Sequence, residues 1–203
     1  MSELPQTSAT CLLSFHALTG CDTTSYFANH TKKTCWKTFI ENNQLLCDLG
    51  IGELSQETIA SAEKFVCRLY NVRRTDTVDS ARHIMFSTTK KPEHIPPTSD
   101  ALYFHLLRVH YQSTIWRNSH IPTPNLPEPI TMGWERADGG LKPILMSKSP
   151  IPDGCLQMIF CSCKKQCMTL RCKCARSHMP CTSMCACSHN TCNEHLHEEL
   201  TMF

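Results

Sequence analysis

Residues Cys161 to Cys192 read CSCKKQCMTLRCKCARSHMPCTSMCACSHNTC, and this stretch holds nine of the fifteen cysteines of a 203-residue chain. Three C-x-C pairs recur in it: Cys161/Cys163, Cys172/Cys174 and Cys185/Cys187, with Cys167, Cys181 and Cys192 between and after them. Two cysteines one residue apart are poorly placed to bond to each other as a disulfide. They are well placed to serve one metal ion or two neighbouring ones, and thiolates give zinc a tetrahedral shell. The cluster is odd in number, and the first residues (Met1–Ser8) lack the basic start and apolar run of a secretory leader. Metal binding in a reducing compartment is therefore expected, instead of a disulfide framework.

Ligand counting gives the stoichiometry. Three tetrahedral zincs need twelve metal–sulfur bonds, and nine cysteines supply twelve if three bridge two metals and six bind one. Two separate four-cysteine sites would leave one cysteine unused. The expectation is three zinc ions held by Cys161, Cys163, Cys167, Cys172, Cys174, Cys181, Cys185, Cys187 and Cys192. His178, His189, His195 and His197 lie nearby, but nine sulfurs already suffice, so they read as surface residues, and Cys155 reads as outside the cluster.

Charge in the module is one-sided. Between Gly154 and Asn193 there is no Asp or Glu, whereas Lys164, Lys165, Arg171, Lys173 and Arg176 contribute five positive charges. Three zincs with nine thiolates carry 6 − 9 = −3, which leaves about +2 for the loaded module by formal charges. That balance suits a phosphate backbone. It is also what basic residues would do by offsetting the cluster's own negative charge.

Outward from the module the chain changes character. Residues 1–118 read as a mainly α N-terminal region. An apolar helix from Ser8 to Leu18 stops at Gly20; Thr31 can cap a second, with Cys35/Phe39 and Trp36/Ile40 as i,i+4 pairs. Ser55 can cap a third, with Glu57 in its first turn and Ile59, Ala62, Val66 and Leu69 along one face. Ser99 can cap another that carries Leu102, Leu106, Val109 and Trp116. Each face reads as core. Residues 119–154 hold seven of the twelve prolines and four of the seven glycines, which predicts an extended connector. Residues 155–193 form the zinc-cluster module, small and irregular with little regular secondary structure, and 194–203 an acidic tail. Hydrophobic residues make up 41% of the chain, yet no run approaches the length of a membrane span, and no small-molecule cofactor motif is evident.

The nine-cysteine run resembles the tesmin-type CXC domain, whose repeats bind three zincs through nine cysteines. The match covers about a sixth of the chain, all nine ligands find counterparts, and one repeat is present. Tesmin-like proteins place a Tyr just before the second C-x-C pair and insert it into the DNA minor groove; here that position is Arg171. Single CXC domains of chromatin proteins use Arg in that way, and an Arg suits a narrow minor groove. The resemblance thus implies DNA as partner, with Arg171 in the groove, Lys164, Lys165, Lys173 and Arg176 on phosphates, and a nuclear location.

A second segment, LLSFHALTGCDTTSYFANHTKKTCWKTFI (Leu12–Ile40), resembles the helix-two-turn-helix region of the flap-endonuclease (XPG-like) family. The resemblance would make Asp22 a ligand of a catalytic divalent metal and place Lys32 and Lys33 near a phosphate-binding turn. The family's glycine-rich turn reads Ala28-Asn29-His30 here, and no acidic clusters precede Asp22 to complete a two-metal site. Asp22 reads equally as capping a turn with Thr23 and Thr24. The overall layout also looks like that of proteins encoded by animal mobile elements. The expected function is zinc-dependent DNA binding without catalysis. The rival readings are a nuclease C-terminal remnant, inactive alone, and a zinc-stabilised protein-interaction module; metal storage would not need the long helical zone.

Overall fold

The computed structural model describes residues 6–86, 94–148, 160–163, 167, 171–177, 181 and 185–187. The chain divides into two units, Met1–Lys148 and Ser149–Phe203. The first is built from five helices: α1 (Gln6–Leu18), α2 (Lys32–Asn42), α3 (Gln56–Leu69), α4 (Val78–Phe86) and α5 (Ser99–Arg117). A hairpin of β1 (Trp134–Ala137) and β2 (Gly140–Pro143) follows, paired antiparallel with Trp134 opposite Pro143. In the second unit only α6 (Lys173–Arg176), one helical turn, is regular among the described residues. The mainly helical N-terminal region and the irregular cysteine module are thus both present.

Local chemistry accounts for the helix boundaries. Thr31 Oγ1 accepts from Thr34 N at 3.3 Å and Ser55 Oγ from Thr58 N at 3.2 Å, the N-cap geometry that satisfies an otherwise orphaned donor. For α5 the cap is Thr98, one residue earlier than expected, with its Oγ1 accepting from Ala101 N at 3.2 Å. The Leu102, Leu106 and Val109 stripe of α5 is buried in one core cluster with Leu18, Phe39, Leu46, Leu49, Phe65 and Val66. The face of α2 departs from expectation. Cys35 and Phe39 are fully buried, but Trp36 is 37% and Ile40 44% exposed, so the two i,i+4 pairs do not share one buried face.

Polar side chains of α5 staple irregular segments to this core. His110 Nδ1 accepts from Gly50 N at 3.1 Å and its Nε2 lies 3.1 Å from Gly52 O, so the neutral ring donates there. Arg117 donates to Thr10 O at 2.9 Å and lies 3.4 Å from Cys47 O. The segment expected as a bare connector is strapped down in the same way. The Arg108 guanidinium donates to Gly133 O at 3.1 Å and to Ile144 O, and sits 6.0 Å from the Trp134 ring centroid. Asp100 accepts from Ser147 N at 2.6 Å and Lys148 N at 2.9 Å. Proline and glycine exclude a long helix there, but they leave a short hairpin free to form around Asp138-Gly139, where Gly139 supplies φ +96°. No described helix is long and apolar enough to cross a membrane.

Outside the module, two cysteines are paired. Cys11 of α1 and Cys47, after the 3-10 turn Asn43–Leu46, form a disulfide with Cα atoms 4.6 Å apart. Such a bond is uncommon in the reducing compartment expected from cysteine usage. Nothing in the separation of the two residues signals it; the packing of α1 on the 3-10 turn brings them together.

Candidate metal centre

Eight of the nine expected ligands lie among the described residues and all eight converge: Cys161, Cys163, Cys167, Cys172, Cys174, Cys181, Cys185 and Cys187. Cys192 lies outside the described residues. Seven of the eight are buried and Cys163 is half-buried. With Ala175 they are the whole interior of the unit among the described residues, so the interior is sulfur where a larger domain would have aliphatic side chains.

Short local devices place them. Cys172 precedes α6 and its carbonyl accepts from Arg176 N at 3.0 Å, which turns Cys174 inward from the first turn. Cys161 O accepts from Ala186 N at 2.9 Å, and Cys161 N donates to Cys185 Sγ at 3.4 Å. The first and third C-x-C pairs are thereby joined through backbone.

The sulfur spacing is that of a metal shell. Cys161 Sγ is 3.7 Å from Cys167 Sγ and 4.0 Å from Cys181 Sγ; Cys174 and Cys185 sulfurs are 3.6 Å apart, and those of Cys172 and Cys181 3.9 Å. Zinc–sulfur bonds of about 2.3 Å at tetrahedral angles put ligand sulfurs about 3.8 Å apart, against about 2.05 Å in a disulfide. Three groups of four sulfurs each fit within mutual distances of 4.8 Å: Cys161, Cys174, Cys181, Cys185; Cys161, Cys167, Cys181, Cys187; and Cys161, Cys163, Cys167, Cys172. The cysteine cluster can hold metal.

Electrostatics point the same way. Burial, with Cys185 alongside, pushes the Cys174 thiol up to about 12, and burial pushes Cys181 up as well. Burial also opposes ionisation of Cys172, but the backbone N–H groups of Ala175 and Cys174 and the thiols of Cys167 and Cys161 outweigh it and hold Cys172 down at about 7. Cys174 and Cys181 thus resist deprotonation, whereas Cys172 ionises readily. A bound cation removes that resistance.

Around the cluster, Arg171, Lys173 and Arg176 are exposed, while Lys164 and Lys165 lie outside the described residues, as do His178, His189, His195, His197 and Cys155. Lys173 Nζ stands 5.9 Å from the ring centroid of Phe160, which is 48% exposed. Sequence reading passed over Phe160; an aromatic residue directly before the first C-x-C pair was the available signal.

The other expected site is sparse. Asp22 is exposed in the turn after α1, and among the described residues it belongs to no group of three or more potential ligands. Asn29 takes φ +62° in the Ala28-Asn29-His30 turn. Lys32 points its ammonium at the end of α1, donating to His16 O at 2.9 Å, to Thr19 Oγ1 at 3.1 Å and to Gly20 O. Lysine at a helix C-terminus meets unpaired carbonyls and the negative end of the dipole, and that accounts for its position without a phosphate. No protein-family model, curated protein or solved structure matches the chain.

Proposed function

We propose that residues 155–193 are a CXC-type module that binds three zinc ions and docks on DNA in the nucleus. The observation that carries the zinc reading is the overlap of the three sulfur groups. Cys181 is shared by the first and second, Cys167 by the second and third, and Cys161 by all. With these three as bridges, one zinc takes Cys161, Cys174, Cys181 and Cys185. The next takes Cys167, Cys181 and Cys187, with Cys192 supplying the fourth bond in place of Cys161. The last takes Cys161, Cys163, Cys167 and Cys172. Nine cysteines then make twelve bonds, three bridging and six terminal, with none left over. Bound zinc supplies the positive charge that lets every thiol ionise, and its binding energy stabilises a unit too small to fold on apolar burial.

DNA recognition would fall to the exterior. Arg171 and Lys173 flank Cys172, and Arg176 closes α6, so all three project from backbone held by the cluster. A guanidinium on so constrained a loop loses little entropy on entering a narrow minor groove. Lys173, Arg176, Lys164 and Lys165 would contact phosphates, which position the module without reading sequence. Fluorescence anisotropy with zinc-loaded protein on A·T-rich and G·C-rich duplexes tests this reading. Salt-dependent binding, tighter on the A·T-rich duplex, is expected. Failure to bind either duplex at low salt would leave a zinc-stabilised protein-interaction module as the better account.

A further inference from the structure

Helix α1 is apolar on both sides. Its inward face is used: Cys11, Phe15 and Leu18 are buried in the core. Its outward face is not, since Leu12 and Leu13 are 36% and 37% exposed. A helix apolar all round is normally covered all round. Beside these leucines, α2 presents Trp36, α5 presents Trp116 and the chain just beyond α5 presents Ser119, and together they enclose an open groove of about 820 Å³. Its aromatic walls are braced: Trp36 stands edge-on to Phe15 at 5.7 Å between centroids, and Trp116 lies against His16 at 5.4 Å with the rings tilted by 37°. Lys32 and Lys33 line one side, and among the described residues no Asp or Glu lines it.

We propose that this groove receives an acidic amphipathic α-helix from a partner protein. The occupant is helical because the lining side chains all come from helices or from the chain just beyond α5. Helix backbones are already hydrogen-bonded internally, so they offer no ladder to an extended peptide, whose own N–H and C=O groups would be buried unpaired. A helix satisfies its backbone alone and can project side chains at i, i+4 and i+7 into an apolar trough. The volume suits such anchors, since ligand clefts span roughly 300–1,000 Å³.

The occupant is acidic because the charge at the groove is basic and partly fixed. The Lys32 ammonium uses its three donors on His16 O, Thr19 Oγ1 and Gly20 O at the C-terminal end of α1 and contributes only its charge, whereas Lys33 beside it is exposed and can meet a carboxylate directly. Asp22 acts on His16 through space but does not line the groove. The same lysines argue against a second copy of this chain, because apposing two such faces would bring four ammonium groups together. Single-stranded nucleic acid would match the lysines and tryptophans, but the aliphatic Leu12 and Leu13 floor offers nothing to the polar edges of bases.

The test is fluorescence anisotropy on the full zinc-loaded chain. The probe is a labelled, end-blocked peptide of about 20 residues, longer than the roughly 15 at which isolated helices are marginal in water, with Leu and Phe at i, i+4 and i+7 and Glu on its flanks. The acidic peptide should bind saturably, and a version with Lys for Glu should bind about tenfold more weakly. Lys33→Glu, on an exposed side chain that leaves the fold intact, should reverse that order. Trp36→Ala should weaken the acidic peptide about tenfold, the scale of a lost aromatic anchor. The proposal is overturned if neither peptide saturates, or if both bind alike and Lys33→Glu changes nothing. It is equally overturned if an oligothymidylate binds in a Trp36-dependent way while the acidic peptide does not, or if sedimentation shows a dimer that Trp36→Ala dissolves.

Discussion

The sulfur of Cys161 lies 3.7 Å from that of Cys167, and Cys161 takes part in each of the three four-sulfur groups found among the described residues. A ligand shared between metals fails differently from a terminal one. On the proposed three-zinc reading, in which metal binding supplies most of the module's folding energy, Cys161→Ser or Cys181→Ser should cost two or more zincs per chain and unfold it. Cys163→Ser, at the half-buried edge and in one group alone, should cost no more than one. Native mass spectrometry reads both counts. Two zincs in the wild type would overturn the three-zinc assignment.

Gly50 tests the staple between α5 and the loop before α3. It has φ +81°, and a Cβ there would stand 2.4 Å from Ser113 Cβ on α5. Backbone strain and overpacking together put the cost of Gly50→Ala on the order of 3 kcal/mol. Gly52 also has positive φ, at +58°, but nothing lies within 4 Å of its Cβ position. Gly52→Ala should thus cost only about 1 kcal/mol, from the left-handed conformation alone. Urea unfolding of both variants separates the two terms, and equal losses would contradict the close approach.

Much of this architecture is legible in the residues, and the illegible parts share a cause. Caps such as Thr31 and Ser55 act within three residues, so local reading finds α2 and α3. The cysteine spacing is equally local, because metal ligation restricts the intervening loops. Helix α4 escapes: its first N–H is satisfied from α3, by Glu63 Oε1 at 2.8 Å from Val78 N, and no neighbouring residue announces that. The Arg108 clamp on Gly133 and Ile144 escapes as well, since backbone carbonyls leave no mark on sequence. Periodicity likewise marks Trp36 and Ile40 as a stripe without saying whether anything covers it. Lys32 shows the converse: a basic helix start reads as a phosphate site, and the fold uses it on the end of α1.

His105 should make folding stability fall in acid. It is almost wholly enclosed, with Nε2 3.0 Å from Leu18 O, and burial pushes its pKa down to about 4 from 6.5, with Arg108 adding to the effect. The folded pKa is depressed, so the unfolded chain binds the proton first as pH falls. The contribution of the neutral ring is complete above about pH 6.5 and is lost progressively down to about pH 4. The full loss is at most about 3 kcal/mol by linkage. His110, whose Nδ1 must stay unprotonated to accept from Gly50 N, is lowered by burial too and adds a loss of the same sign. Denaturant unfolding of wild type and His105→Gln across that window should show a shallower slope for the variant. Identical slopes would mean that His105 does not titrate with folding.

Arg171 and Lys173 sit on either side of one metal ligand, yet their substitution should read out differently. Arg171 is assigned to the minor groove, where a guanidinium senses groove width and hence A·T content. Arg171→Ala should cost on the order of 1–3 kcal/mol on an A·T-rich duplex and narrow the gap to a G·C-rich one. Lys173 is assigned to phosphate, and its ammonium is oriented by the Phe160 ring 5.9 Å away. Lys173→Ala should weaken both duplexes alike and lower the salt slope by roughly one unit, because one fewer counterion is released. Lys164→Ala and Lys165→Ala should behave as Lys173→Ala does. Phe160→Ala keeps every charge, so it should leave the slope unchanged and cost at most about 1 kcal/mol, the worth of an exposed cation–π contact. Anisotropy across a salt series gives all of these values from one experiment. If Arg171→Ala changed only the salt slope, with no change in sequence preference, Arg171 would be a phosphate contact and the minor-groove assignment would fall.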